Sequence, residues 1–124
     1  MLSLIASAAL VGTMNLEHPA TVGGQINFSL QALPNQEAAL WFGLEELPGG
    51  LEIPTIGTLK LSPPFITVAN AQLNAKGRGK FVVPVPDEPA LAGLELLFQG
   101  WFYDDFGIVK NSTLSELELV TIQP

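Results

Sequence analysis

Between Gln25 and Gln31 the chain reads Gln-Ile-Asn-Phe-Ser-Leu-Gln, polar and apolar in strict alternation. Successive side chains of a strand point to opposite faces, so this pattern builds a ribbon with one oily and one wet side. Ile26, Phe28 and Leu30 are then the buried face. The same period returns at Phe81, Val83 and Val85, where Pro84 and Pro86 mark a sheet edge because proline cannot donate to a ladder. It returns again where Leu94, Leu96, Phe98 and Phe102 alternate with Glu95, Gln99, Trp101 and Tyr103, with Leu97 breaking the polar face. The apolar run from Ala38 to Leu44 reads as a central strand with Leu40 and Phe42 inward, and a last strand beginning near Leu114 ends on Val120 and Ile122.

Turn chemistry separates these runs. Gly23-Gly24, Pro34-Asn35, Pro48-Gly49-Gly50, Pro63-Pro64, Lys76-Gly77 and Asp104-Asp105-Phe106-Gly107 each stop a strand through a backbone preference. Twelve glycines and ten prolines in 124 residues leave little room for long helices. One short helical turn is expected in Pro86–Gly93, capped by Asp87, with Pro89 early and Gly93 ending it. The fold class is therefore all-β: an antiparallel β-sandwich of about 8–9 short strands with that one turn. No internal repeat or linker divides it, so residues 13–124 read as one sandwich domain preceded by an apolar extension, residues 1–12.

Charge narrows the chemistry. Only 14% of residues are charged against 48% hydrophobic, and the net charge is −7, which gives nucleic-acid binding no electrostatic support. Lys76-Gly77-Arg78-Gly79-Lys80 lacks Walker spacing and reads as a solvated hairpin tip. With no cysteine, disulfides and thiolate sites are excluded. His18 is the only histidine, and no serine sits in a nucleophile-elbow pattern, so it reads as a solvated strand-end residue rather than a triad member. Glu45-Glu46, Asp87-Glu88 and Asp104-Asp105 are adjacent pairs without calcium-loop spacing and read as solvated loop charge. Asn27-Phe28-Ser29 and Asn111-Ser112-Thr113 match a glycosylation pattern to which no role is given. No enzyme activity, cofactor or metal is expected, and no apolar run approaches the ~20 residues that span a bilayer.

Two features point to binding. Trp101 and Tyr103 share one face of their strand; exposed, they would stack on sugar rings, and covered, they would pack in a second core or at a subunit interface. The second feature is the uncharged extension. Its even positions, Leu2, Leu4, Ala6, Ala8 and Leu10, form a wholly apolar face, whereas Ser3, Ser7 and Thr13 fall on the mixed opposite face. That is the pattern of a strand laid in a hydrophobic groove, with Gly12 as a hinge between it and the first domain strand, 13–18. Ala6-Ser7-Ala8 has the form of a leader cleavage site, yet the first basic residue is Lys60. The segment is a leader remnant, a strand of its own domain, or a strand donated to a neighbour's sheet.

Residues 81–103 carry a resemblance. A strand ending Pro84-Val85-Pro86, the turn Pro89-Ala90-Leu91-Ala92-Gly93-Leu94 and an aromatic-glutamine strand, Phe98-Gln99-Gly100-Trp101, resemble small β-sandwich modules of secreted bacterial, planctomycete-type proteins. Val22–Leu30 and Leu119–Ile122 resemble their opening and closing strands. The resemblance implies a sandwich and export, with no catalytic residues to carry over. The extension and the closing segment with Glu116 and Glu118 depart from it. The expectation is a non-catalytic, extracellular or cell-surface subunit that assembles with itself head to tail, as in a fimbrium, through Leu2, Leu4, Ala6, Ala8 and Leu10. The alternative is a carbohydrate- or surface-binding module using Trp101 and Tyr103, with a glycan as partner.

Overall fold

A computed structural model of the chain describes residues 12–54, 56–104 and 112–124. Among the described residues it contains β1 (Thr13–Leu16), β2 (Gln25–Gln31), β3 (Glu37–Gly43), β4 (Glu46–Ile53), β5 (Gly57–Leu61), β6 (Ile66–Gln72), β7 (Arg78–Pro84), a 3-10 turn (Pro89–Leu91), β8 (Glu95–Tyr103), β9 (Thr113–Leu114) and β10 (Glu118–Thr121). Sheet 1 has the order β1-β2-β7 and sheet 2 the order β10-β8-β3-β6, with β9 also paired to β8; β4 and β5 form a separate hairpin. All these pairings are antiparallel. The expected all-β sandwich is the fold.

The alternating segment is β2, residue for residue, and its inward side chains Ile26, Phe28 and Leu30 are buried. They pair across to Val83, Phe81 and Gly79 of β7. From sheet 2 come Ala38, Leu40, Phe98 and Phe102, and the sheets meet where Phe28 stands edge-on to Phe98 at 5.4 Å. Edge-to-face rings add about 0.5–1.5 kcal/mol beyond the area they bury.

Several details depart from the sequence expectations, each for a local reason. Among the described residues the strands number ten, against about 8–9 expected. Pro48-Gly49-Gly50 does not end a strand: Gly49 and Gly50 take φ of 74° and 67°, and the register shifts between Glu46 and Leu51, so the extra residues are absorbed within β4. Glu88, not Asp87, caps the 3-10 turn, its carboxylate accepting from the Ala90 N–H. Leu94 is exposed, because β8 begins one residue later at Glu95. Lys76–Lys80 is not a hairpin tip. Arg78, Gly79 and Lys80 lie in β7, and the turn before them crosses from sheet 2 to sheet 1, held by Asn74 Oδ1 accepting from the Lys76 and Arg78 N–H groups.

Gly12, the expected hinge, is itself packed into the domain: it is buried, its N–H donates to Thr113 Oγ1 at 3.1 Å, and a Cβ on it would run into the Phe102 ring. The first strand ends at Leu16 rather than 18.

The registers give the sandwich two distinct ends. One end carries Gly12, Gln31, the Asn74 turn, Glu37 and Tyr103. The other carries Gln25, Pro84, Gly43 and Leu97. Its two sides differ as well. On the β1/β10 side, Thr21 bridges Gln123, with hydrogen bonds from Val22 N–H to the Gln123 carbonyl and from Gln123 N–H to the Ala20 carbonyl. On the other side β6 and β7, in different sheets, are joined by the Asn74 turn, where Gly79 lies so close to Leu73 that a Cβ would stand 2.7 Å from its side chain.

Candidate functional site

Away from that contact β6 and β7 diverge, and the sandwich gapes. The result is an apolar groove of about 340 Å³ at the Pro84 end, between the sheets. Ile26 and Val83 line it from sheet 1, Phe42, Val68 and Leu96 from sheet 2, and Leu91 and Leu94 from the turn beside it. This explains why Phe42, Val83 and Leu96, all expected in the core, pack against it while remaining half-buried. Exposed Leu44 stands at the same opening. Among the described residues no charged side chain lines the groove, so they offer it neither an acid nor a base. It can hold an apolar face and little else.

The outer face of sheet 2 is a different environment. Tyr103, Trp101, Trp41 and Phe65 form a row there: Trp101 stacks on Tyr103 at 4.2 Å and 28°, on Trp41 at 5.7 Å and 29°, and Trp41 meets Phe65 at 5.1 Å. Stacked in this way, the rings turn their faces to one another. A sugar platform needs those faces, and Tyr103 at the end of the row is itself only 6% exposed. Burial, and then the nearby Glu37 carboxylate, push the Tyr103 phenol above its usual pKa. The sequence pointed to Trp101 and Tyr103 but missed Trp41 and Phe65. Trp41 stands opposite Gln99 across the β3–β8 ladder and Phe65 meets Trp41 from the segment before β6, relations between strands that no single strand displays.

Beside this row one buried side chain helps fasten the β4–β5 hairpin, at whose turn the Ile56 carbonyl also accepts from the Leu114 N–H at 3.0 Å. Gln99, fully buried, accepts from the Lys60 N–H at 2.9 Å through Oε1 and donates through Nε2 to the carbonyls of Thr58 (2.8 Å) and Ser115 (2.9 Å). Leu61, also fully buried, lies against Gly43. Lys60 Nζ pairs with Glu116 at 2.9 Å on the surface, and that hydrogen bond and charge hold the ammonium above its ordinary pKa.

The candidate catalytic groups do not converge. His18 is exposed; its Nδ1 lies 3.1 Å from the Pro19 carbonyl and its Nε2 3.0 Å from Asn27 Nδ2. The neutral ring with the proton on Nδ1 satisfies both contacts. Asn27, half-buried in β2, leaves its Oδ1 without a hydrogen bond. Glu45, Glu46, Asp87 and Asp104 are exposed, and no cluster of three potential metal ligands occurs among the described residues. Glu118 is the one displaced carboxylate of note. It shares the inward parity of Val120 on edge strand β10, and burial, then the neighbouring Glu116, raise its pKa.

Leu2, Leu4, Ala6, Ala8 and Leu10 lie outside the described residues, as do Asp105 and Asn111. What the structure places is the point from which the extension departs, Gly12, at the end of the sandwich opposite the groove. No helix among the described residues is long and apolar enough to cross a membrane. Neither a protein-family model nor a curated protein matches this sequence.

Proposed function

We propose that this chain is a non-catalytic structural subunit that assembles with its own copies head to tail, the segment before Gly12 lying in the groove of a neighbour. One observation carries the reading: Gly12, where the described chain begins, lies at one end of the sandwich, and the uncharged apolar groove opens at the other. Leu2, Leu4, Ala6, Ala8 and Leu10 supply an equally uncharged, one-sided face of matching chemistry.

Occupying the groove of its own domain is the competing arrangement, and distance weighs against it. From Gly12 the segment would cross the width of sheet 1, about 10 Å, and run back down β2, about 20 Å, which uses about nine residues. Leu2–Leu10 would be spent on the way. A neighbour stacked end to end meets the same residues directly. Such contacts are heterologous and do not close, so they build a filament. The extracellular or cell-surface location belongs to the same proposal, supported by the likeness of residues 81–103 to secreted modules. The glycan reading receives less support, because the ring faces of Trp101 and Tyr103 are engaged by each other and by Trp41.

Electron microscopy and light scattering of the full chain beside one lacking residues 1–11 test the proposal. Filaments are expected from the first and monomers with an uncovered groove from the second. A truncated chain that still assembles, or a full chain that stays monomeric at high concentration, would overturn it.

A further inference from the structure

Resting on that reading, we infer that the incoming strand adds to the free edge of β6, antiparallel to it, and that β7, though it borders the same groove, is closed to it. The reason lies in how each sheet edge is guarded. An unpaired edge invites another strand, and proteins blunt it with proline, charge, inward-pointing carboxylates or brevity. β1 is four residues long. β10 carries the inward-facing Glu118. On β7 the hydrogen bond from Val85 N–H to the Gly24 carbonyl sets the alternation, so Val83 and Phe81 face β2 while Pro84, Val82 and Lys80 face outward. Pro84 has no N–H to give, and the Lys80 ammonium is held by Glu17 at 3.2 Å. Arg78, next along this edge, is already engaged through its N–H and carbonyl by Asn74.

β6, Ile-Thr-Val-Ala-Asn-Ala-Gln, has neither proline nor charge; its register shifts once, at Val68, and the stretch from Ala69 to Gln72 pairs regularly with β3. The bond from Leu73 N–H to the Gln36 carbonyl sets its alternation, turning the Asn70 N–H and carbonyl away from β3. Ile66 is 60% exposed and Val68 lines the groove. A strand on this edge would face its alternate side chains into the groove. Direction follows from the two ends. β6 runs from the groove end towards the Asn74 turn. The segment of an end-to-end neighbour enters at the groove end with its residue 10 nearest the mouth, so from residue 2 to residue 10 it runs the opposite way. Antiparallel pairing is the more favourable ladder.

The test uses the full chain and three variants read by the concentration at which it assembles. Asn70→Pro removes an outward N–H from β6 without touching its ladder to β3; the assembly concentration should rise at least tenfold. Val82→Pro does the same on β7 and should leave assembly near wild type. Ala6→Asp with Ala8→Asp should abolish assembly altogether. Because the natural chain has no cysteine, a second measurement is free of background and of any folding defect in the proline variants. Ser3→Cys or Ser7→Cys, combined with Thr67→Cys, should give disulfide-linked multimers on oxidation, and combined with Val82→Cys should not. Loss of assembly on Val82→Pro together with cross-linking through position 82 moves the site to β7 and overturns the inference while leaving strand donation standing. Wild-type assembly of the Ala6→Asp, Ala8→Asp chain removes the donation itself.

Discussion

β3 and β8 each present two buried faces, and the two are buried by different means. Inward, Leu40, Phe98 and Phe102 meet Phe28 from the opposite sheet, carbon against carbon. Outward, Ala39, Gln99 and Tyr103 are buried nearly as deeply, but their cover includes a hairpin tied by two hydrogen bonds to one amide, which also bonds the Ser115 carbonyl, and a row of stacked rings. The inner face gains from removing apolar surface from water and tolerates no void. On the outer face the amide's worth is conditional. While Gln99 is fully bonded it costs little, and once a partner is lost, buried polar groups are stranded.

Substitutions separate the two modes, beginning with the largest effect. Phe98→Ala opens a cavity beside both Phe28 and Phe42 and should cost about 3–5 kcal/mol in denaturant unfolding, with the whole sandwich melting as one unit. Gln99→Leu keeps the volume but strands the Lys60 N–H and two carbonyls. A loss of about 2–3 kcal/mol is expected, with hydrogen exchange rising first at Thr58 and Lys60 while β2 and β7 stay protected. Equal exchange in both regions would erase the distinction.

Two titrations sharpen it further. Tyr103 is the only tyrosine, so its absorbance reports the outer face alone. With the folded value raised by burial above 10.0, the phenol should ionise later in the folded chain than in the unfolded one. Its stabilisation is full below about pH 10 and lost as pH rises through the folded value. Glu118 tests the inner rim by the same sign. Its raised folded pKa means the protonated carboxyl is preferred in the fold, so stability falls as pH rises through that value. Glu118→Gln should therefore be more stable than the natural chain at neutral pH and equal to it near pH 3. The smallest effect belongs to the exposed Lys60–Glu116 pair, where Glu116→Gln should shift the melting free energy by less than about 1 kcal/mol.

This contrast also explains what could be read from the sequence. Period-two alternation identified β2, most of β7 and β8, and with the apolar run of β3 the inward residues Phe28, Leu40, Phe81, Phe98 and Val120, because inner-face burial is written into each strand by itself. Outer-face burial is not. Gln99 and Ala39 sit at positions that alternation assigns to solvent, and their covers come from residues distant in the chain, Thr58 and Lys60 for Gln99. Leu94 failed in the opposite sense: the apolar period continued one residue beyond the strand that would have buried it. The groove was equally hidden. It arises from the divergence of β6 and β7 after Gly79, a relation between sheets. The apolar face of Leu2–Leu10 was legible, but its destination was not.

The position of Gly12 has a mechanical consequence. Tension applied there along the strand axis enters the domain through β1, whose ladder to β2 lies across the direction of pull. The hydrogen bonds of that ladder are loaded together in shear instead of opening one at a time. A four-residue edge strand is thus oriented to resist extension.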